Sequence, residues 1–146
     1  MIGYRSSVPG SQRFPARMKT IFPDEMNKIA MNKNRGDFIC ITANEDAQEY
    51  SGIYTGFANA IALPNLTLKI SRKIMHIHDF RRSDHAAFWG KGYPAMMIGD
   101  TINYRNFNYH CKNGKVDDIS RLDTAFARDT IKAAIATAAC VLGIRI

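Results

Sequence analysis

Cysteine is scarce in this 146-residue chain: three in all, Cys40, Cys111 and Cys140, far apart and with no CxxC pair. No disulfide framework or structural zinc knuckle can be read from such spacing; taken alone, the chain reads as reduced and cytoplasmic with at least one free thiol, while a longer protein of which it is part could be periplasmic or secreted. Long apolar runs are lacking too. The most apolar stretch, Ala133 to Ile144, is short and interrupted by Thr137 and Gly143, so no membrane span is expected. Met1-Ile-Gly-Tyr-Arg5 has no basic segment followed by an apolar one, which gives no signal peptide to read. Internal repeats, low-complexity tracts and RNP-like, helix-turn-helix or zinc-finger patterns are absent as well.

What is there is a globular composition, with 46% hydrophobic, 10% aromatic and 23% charged residues. Such a chain can bury one core, so residues 1–146 are expected to form a single domain. The net charge of +7 is unevenly spread: Met1 to Arg35 holds seven Lys and Arg against two Asp and Glu, a local +5. A second basic cluster comprises Lys69, Arg72, Lys73, Arg81 and Arg82. This balance permits binding to nucleic acid, but without a recognition module a solvated basic face is the simpler expectation.

Turn formers dominate Met1 to Pro23, which reads as an extended loop, followed by a short helix from Asp24 to Met31. Asp37 to Ala43 is an apolar, β-branched run expected to be a strand buried on both faces. A helical stripe from Asp46 to Leu63 ends at Pro64, Leu66 to Ile70 alternates as a second strand, and Ser83 to Gly90 makes a turn or two of helix. Tyr93 to Ile98 is the third strand. The last helix, Leu122 to Leu142, is expected to turn Phe126, Ile131, Ala134, Ile135, Ala138 and Val141 inward. This order predicts an α/β fold with a mostly parallel sheet flanked by helices. Ligands of such sheets gather beyond the carboxyl ends of the strands, which directs attention to Gly99 to Lys112.

Of the four histidines, His76 and His78 have the alternation of a strand and would share a face, as surface residues or as a minor metal pair. Ser83-Asp84-His85 opens a short helix, where capping is the expected role for Ser83 or Asp84. His110, in the polar loop beyond the third strand, is where a ligand or base would stand.

The stretch from Asp79 to Thr101, with Ser83-Asp84-His85 and Gly92-Tyr-Pro-Ala95, then Tyr104 to His110 and Asp117-Asp118, resembles the C-terminal portion of the zinc-dependent aminopeptidases related to glutaminyl cyclases. Met1-Ile-Gly-Tyr4 is similar to the segment that follows a metal-ligating Asp in that family. The resemblance implies a partial zinc-exopeptidase fold and a peptide substrate cleaved at its N-terminus. It also implies a pair of zinc ions about 3.5–4 Å apart that activate a bridging water. It matches His110 to the last zinc ligand, Tyr109 to a tyrosine that faces the oxyanion, and Asp84 to a substrate-side or supporting carboxylate.

The counterparts of the other ligands and of the general base would precede Met1, and no Glu-Glu dipeptide occurs, the only glutamates being Glu25, Glu45 and Glu49. The resemblance therefore implies a segment inactive as an isolated chain, with an open sheet edge that invites a homodimer or a partner chain. The alternatives are a non-catalytic binding or assembly module derived from that fold, or a basic-surface nucleic-acid binder.

Overall fold

Ile39-Cys-Ile-Thr-Ala-Asn44 contains no charged residue and is rich in β-branched and small side chains, so a strand made from it can be covered on both sides. In the computed structural model, which describes residues 1–144, this strand (β1, Ile39–Asn44) is buried along its whole length, as expected. Strand β2 (Asn65–Ile70) runs parallel to it, Ile39 opposite Asn65 and Asn44 opposite Ile70. On the other side β3 (Met96–Gly99) runs antiparallel, Cys40 opposite Gly99 and Ala43 opposite Met96.

The expected mostly parallel sheet is thus corrected to a mixed three-stranded one in the order β2-β1-β3. The connections explain the difference. Between β1 and β2 the helix α3 (Gln48–Ala60), about 20 Å long, carries the chain back along the strand, as a parallel crossover requires. After β2 the chain makes turns at 72–76, a tight helical segment at His78–Arg81 and the six-residue α4 (His85–Gly90), with no comparable return. It then meets Asn44 at the carboxyl end of β1. The Asn44 side-chain amide donates to the Tyr93 carbonyl at 3.2 Å, and its Oδ1 accepts from the Ala95 N–H at 3.1 Å. A strand that starts beside the end of β1 has only the antiparallel direction open to it.

Helices cover both faces. On one, Met18 of α1 (Arg17–Ile21), Met26 and Ile29 of α2 (Pro23–Met31) and Trp89 of α4 pack with Phe22 and Phe80 over Cys40, Leu66, Leu68 and Ile70. On the other, Tyr54 and Ala58 of α3 and Phe126 and Ala133 of α5 (Thr124–Val141) cover Ile39 and Ile41. Pro23 at the start of α2, followed by Asp24 and Glu25, suits the unpaired amides and positive end of a helix N-terminus.

Three finer expectations change. Residues 1–23 are not simply an extended loop: they contain α1 and are hydrogen-bonded to distant segments, Ser6 N–H to the Gly36 carbonyl, Gln12 N–H to Asn34 and Arg13 N–H to Tyr104. His76 and His78 lie on no strand; both are exposed, one in a turn and the other opening the segment His78–Arg81. The buried face of α5 is Phe126, Thr130, Ala133, Thr137 and Ala139, while Ile131 and Ile135 are 46% and 60% exposed. Small side chains let α5 pack against α3, and the Thr130 and Thr137 hydroxyls are satisfied by donating to the Phe126 and Ala133 carbonyls.

One buried cation ties the pieces together. Arg105 is 1% exposed; its Nε donates to Gln12 Oε1 at 2.9 Å, Nη1 to the Tyr4 carbonyl at 3.2 Å and Nη2 to the Phe38 carbonyl at 2.8 Å. Its guanidinium lies 4.8 Å from the centroid of the Phe38 ring. Gly36 leaves the room for it, since a Cβ there would stand 2.7 Å from the Arg105 side chain. Burial draws the guanidinium down to about 10, which still leaves it charged at neutral pH. Arg105→Met keeps the bulk but leaves these acceptors without a donor, and it should cost about 3 kcal/mol in urea unfolding. A midpoint equal to that of the unaltered chain would contradict this assignment.

Candidate functional site

Where the N-terminal segment and the chain after β3 cross the α1 face of the sheet, they leave a cavity of about 160 Å³. Its floor is Cys40, Thr42, Leu68 and Met97, its walls are Phe14, Met18 and Phe80 on one side and Ile102, Tyr104 and Tyr109 on the other, and Asp79, Arg82 and Ser83 join its lining. The reversed β3 is what brings the second wall here, because its carboxyl end lies beside the beginning of β1. Thr101 and Ile102 then take φ of 65° and 52°, a left-handed conformation unfavourable for β-branched residues. Asp100, fully buried, holds this turn by accepting the Tyr4 N–H at 2.9 Å and the Ile102 N–H at 3.2 Å.

The chemistry of the cavity is apolar below and charged above. Asp79 is ion-paired with Arg17 and has Tyr104 and Arg82 close by. Burial pushes its carboxyl upward, but hydrogen bonds from Arg17 and Tyr104 and the charges of Arg17 and Arg82 outweigh this and hold it below the usual carboxylate value. Burial and the Asp79 carboxylate both raise the Tyr104 hydroxyl, whose ring also lies 5.6 Å from the Arg82 guanidinium carbon. Burial pushes the Cys40 thiol up to about 11, so it stays protonated and is a poor nucleophile.

The residues singled out from sequence are dispersed by the fold. Tyr109 is half-buried and lines the cavity. His110, next to it, is exposed with φ of 60°; its ring stacks on Tyr109 at 3.9 Å and its backbone N–H donates to Asp117 Oδ2 at 3.2 Å. Asp84 is exposed before α4 and makes no capping bond, contrary to the capping expectation for this position. His85 is buried edge-on against Trp89, its Nε2 donating to the Phe80 carbonyl at 2.7 Å and its Nδ1 unpaired. Neither Asp84 nor His110 lines the cavity.

Among the described residues no three His, Cys, Asp or Glu side chains gather where they would hold a metal ion. The donor set of the described residues therefore does not fit the zinc pair implied by the resemblance. Of the basic residues, Arg17 pairs with Asp79, and Arg72 lies 3.8 Å from Glu45 and 3.4 Å from Asp46.

Sequence reasoning missed the grouping of Arg17, Asp79, Arg82 and Tyr104, which no spacing rule joins. Thr101, Ile102, Tyr104 and Tyr109, which line the cavity, do fall within the loop Gly99 to Lys112 to which the sequence directed attention.

No family model and no solved structure matches this chain. It is 31% identical over 121 residues to a protein of Escherichia coli strain K12 described as "Uncharacterized protein YfbL", an alignment that covers 82% of this chain and 34% of that one. The chain thus spans about a third of the length of the curated relative it matches. The expected membership in the zinc-dependent aminopeptidase family is corrected on these findings: no family model supports it, and the relative's description assigns no activity.

His85 gives the fold a pH dependence. Burial lowers its pKa below the ordinary 6.5, an effect that the Phe80 carbonyl only partly offsets. The unfolded chain therefore binds a proton at this residue that the folded chain refuses, so stability should fall as pH drops below about 6.5 and level off above it. Urea midpoints between pH 5 and 8 should show this slope, and His85→Gln should flatten it. An equal slope in the variant would contradict the assignment.

Proposed function

We propose that this chain is a non-catalytic binding module whose cavity takes an apolar side chain of a peptide-like ligand. The observation that carries the reading is the cavity itself, about 160 Å³ over an apolar floor, with Asp79, Arg82, Ser83 and Tyr104 at hand for the polar backbone of the same ligand. A space of this size suits a group of leucine or benzene dimensions, and burying such a group is favourable by about 0.8 kcal/mol per CH2. The few polar groups then orient the ligand, the usual division of labour in a small-molecule or peptide-residue pocket.

The neutral Cys40 thiol is part of the floor of this pocket rather than a reacting group. In a longer protein the cavity would hold one residue of the ligand while groups from elsewhere in that protein acted on it. No family model supports zinc-dependent peptide hydrolysis by this chain.

N-acetyl-leucinamide, titrated into the chain and followed by NMR, should bind saturably with a Kd of about 1 mM, or about −4 kcal/mol. Met97→Trp, which fills the cavity from its floor, should abolish that binding while leaving the far-UV spectrum unchanged. Bound ligand should also slow modification of Cys40 by a thiol reagent without protecting Cys111 or Cys140, both exposed. Absence of saturable binding, or binding unaffected by Met97→Trp, would overturn the reading. The chain alone should leave leucine p-nitroanilide uncleaved, and chelator-sensitive turnover that tracks the purified chain would contradict its non-catalytic character.

A further inference from the structure

Among the described residues no strand pairs with the outer edge of β3. In an antiparallel ladder the hydrogen-bonded pairs alternate. Since Asn44 donates to the Ala95 carbonyl, the backbone groups of Met96 and Ile98 point away from β1. On that same edge the Asp100 N–H takes the Met1 carbonyl at 3.1 Å. Among the described residues Met96 and Ile98 have no such partner.

Beside the edge opens a groove of about 530 Å³ between β3 and α5. Met96 and Ile98 form one side of it, Ala134, Ala138, Val141 and Leu142 the other, and no charged side chain lines it. Further along α5, Ile131 and Ile135 are 46% and 60% exposed, an apolar stripe left uncovered by the described residues. One more strand would lie about 4.8 Å beyond β3, where alternate side chains would enter the groove. β3 is a short edge, but it carries no charged residue and borders a contiguous apolar surface, which folded proteins normally cover.

The length of the relative indicates what covers them. The matched segment is 34% of that protein, so in it the segment stands beside about twice as much further polypeptide. We propose that the free edge of β3 receives a β-strand of further polypeptide, extended and apolar on alternate residues, whose apolar side fills the groove under α5. Ile98 borders the cavity on the opposite face as well, whereas Met96, Ala134, Ala138, Val141 and Leu142 line the groove alone.

The test is co-expression of this chain with the part of the E. coli relative outside the matched segment. The two polypeptides should co-purify in equal amounts, and amide exchange at Met96 and Ile98 should slow by about tenfold or more. Ala138→Arg, a change at an exposed groove position that leaves the core intact, should abolish the complex. Ile119→Arg, at an exposed position outside the groove, should not. Failure to associate, a complex that survives Ala138→Arg, or slowed exchange explained by a homodimer of this chain alone would overturn the proposal.

Discussion

Arg105 is held by Gln12, the Tyr4 carbonyl and the Phe38 carbonyl, three points from two distant parts of the chain, and its burial is complete enough that each bond has to be made. Through it the N-terminal segment, the entry to β1 and the turn after β3 become one unit. Asp100 repeats the logic with opposite charge, accepting Tyr4 and Ile102 amides from the same two segments. The cavity exists because these segments are fixed in this way: Phe14 and Met18 arrive from one, Ile102, Tyr104 and Tyr109 from the other. The left-handed turn at Thr101 and Ile102 is conformationally unfavourable, and the bonds around Asp100 are what hold it.

The second constraint is the meeting of Asn44 with Tyr93 and Ala95. It sets the direction of β3 and with it the two faces on which anything can bind. One face keeps the cavity, closed by α1 and the turn after β3. The other keeps α3 and α5, with the groove beside β3 uncovered. A parallel third strand would have left the Gly99 to Lys112 loop at the opposite end of the sheet, away from Phe14 and Met18.

Much of the element order was legible in the sequence. β1 was readable because Ile39 to Asn44 contains no charge, α3 because its stripe ends at Pro64, and α5 because its pattern is long. Strand direction was not legible, since it depends on a side-chain contact, Asn44 with Ala95, across 51 residues. Nor was the inward face of α5, where Thr130 and Thr137 go inside because their hydroxyls bond within the helix, and Ile131 and Ile135 stay out. Of the site residues, Tyr109 does line the cavity, but its companions Arg17, Asp79 and Tyr104 are brought together by tertiary folding, and no local pattern joins them. Charge counting missed this as well, because Arg17 in the basic N-terminal segment is neutralised by Asp79.

Whether the cavity receives an apolar side chain is tested most directly by intermolecular nuclear Overhauser contacts in the complex with N-acetyl-leucinamide. Contacts from the leucine methyls to the Met97, Ile102 and Leu68 methyls, with none to Ile131 or Ile135, are what the account predicts. Leucine methyl contacts confined to the α5 groove, or none to any cavity residue, would contradict it.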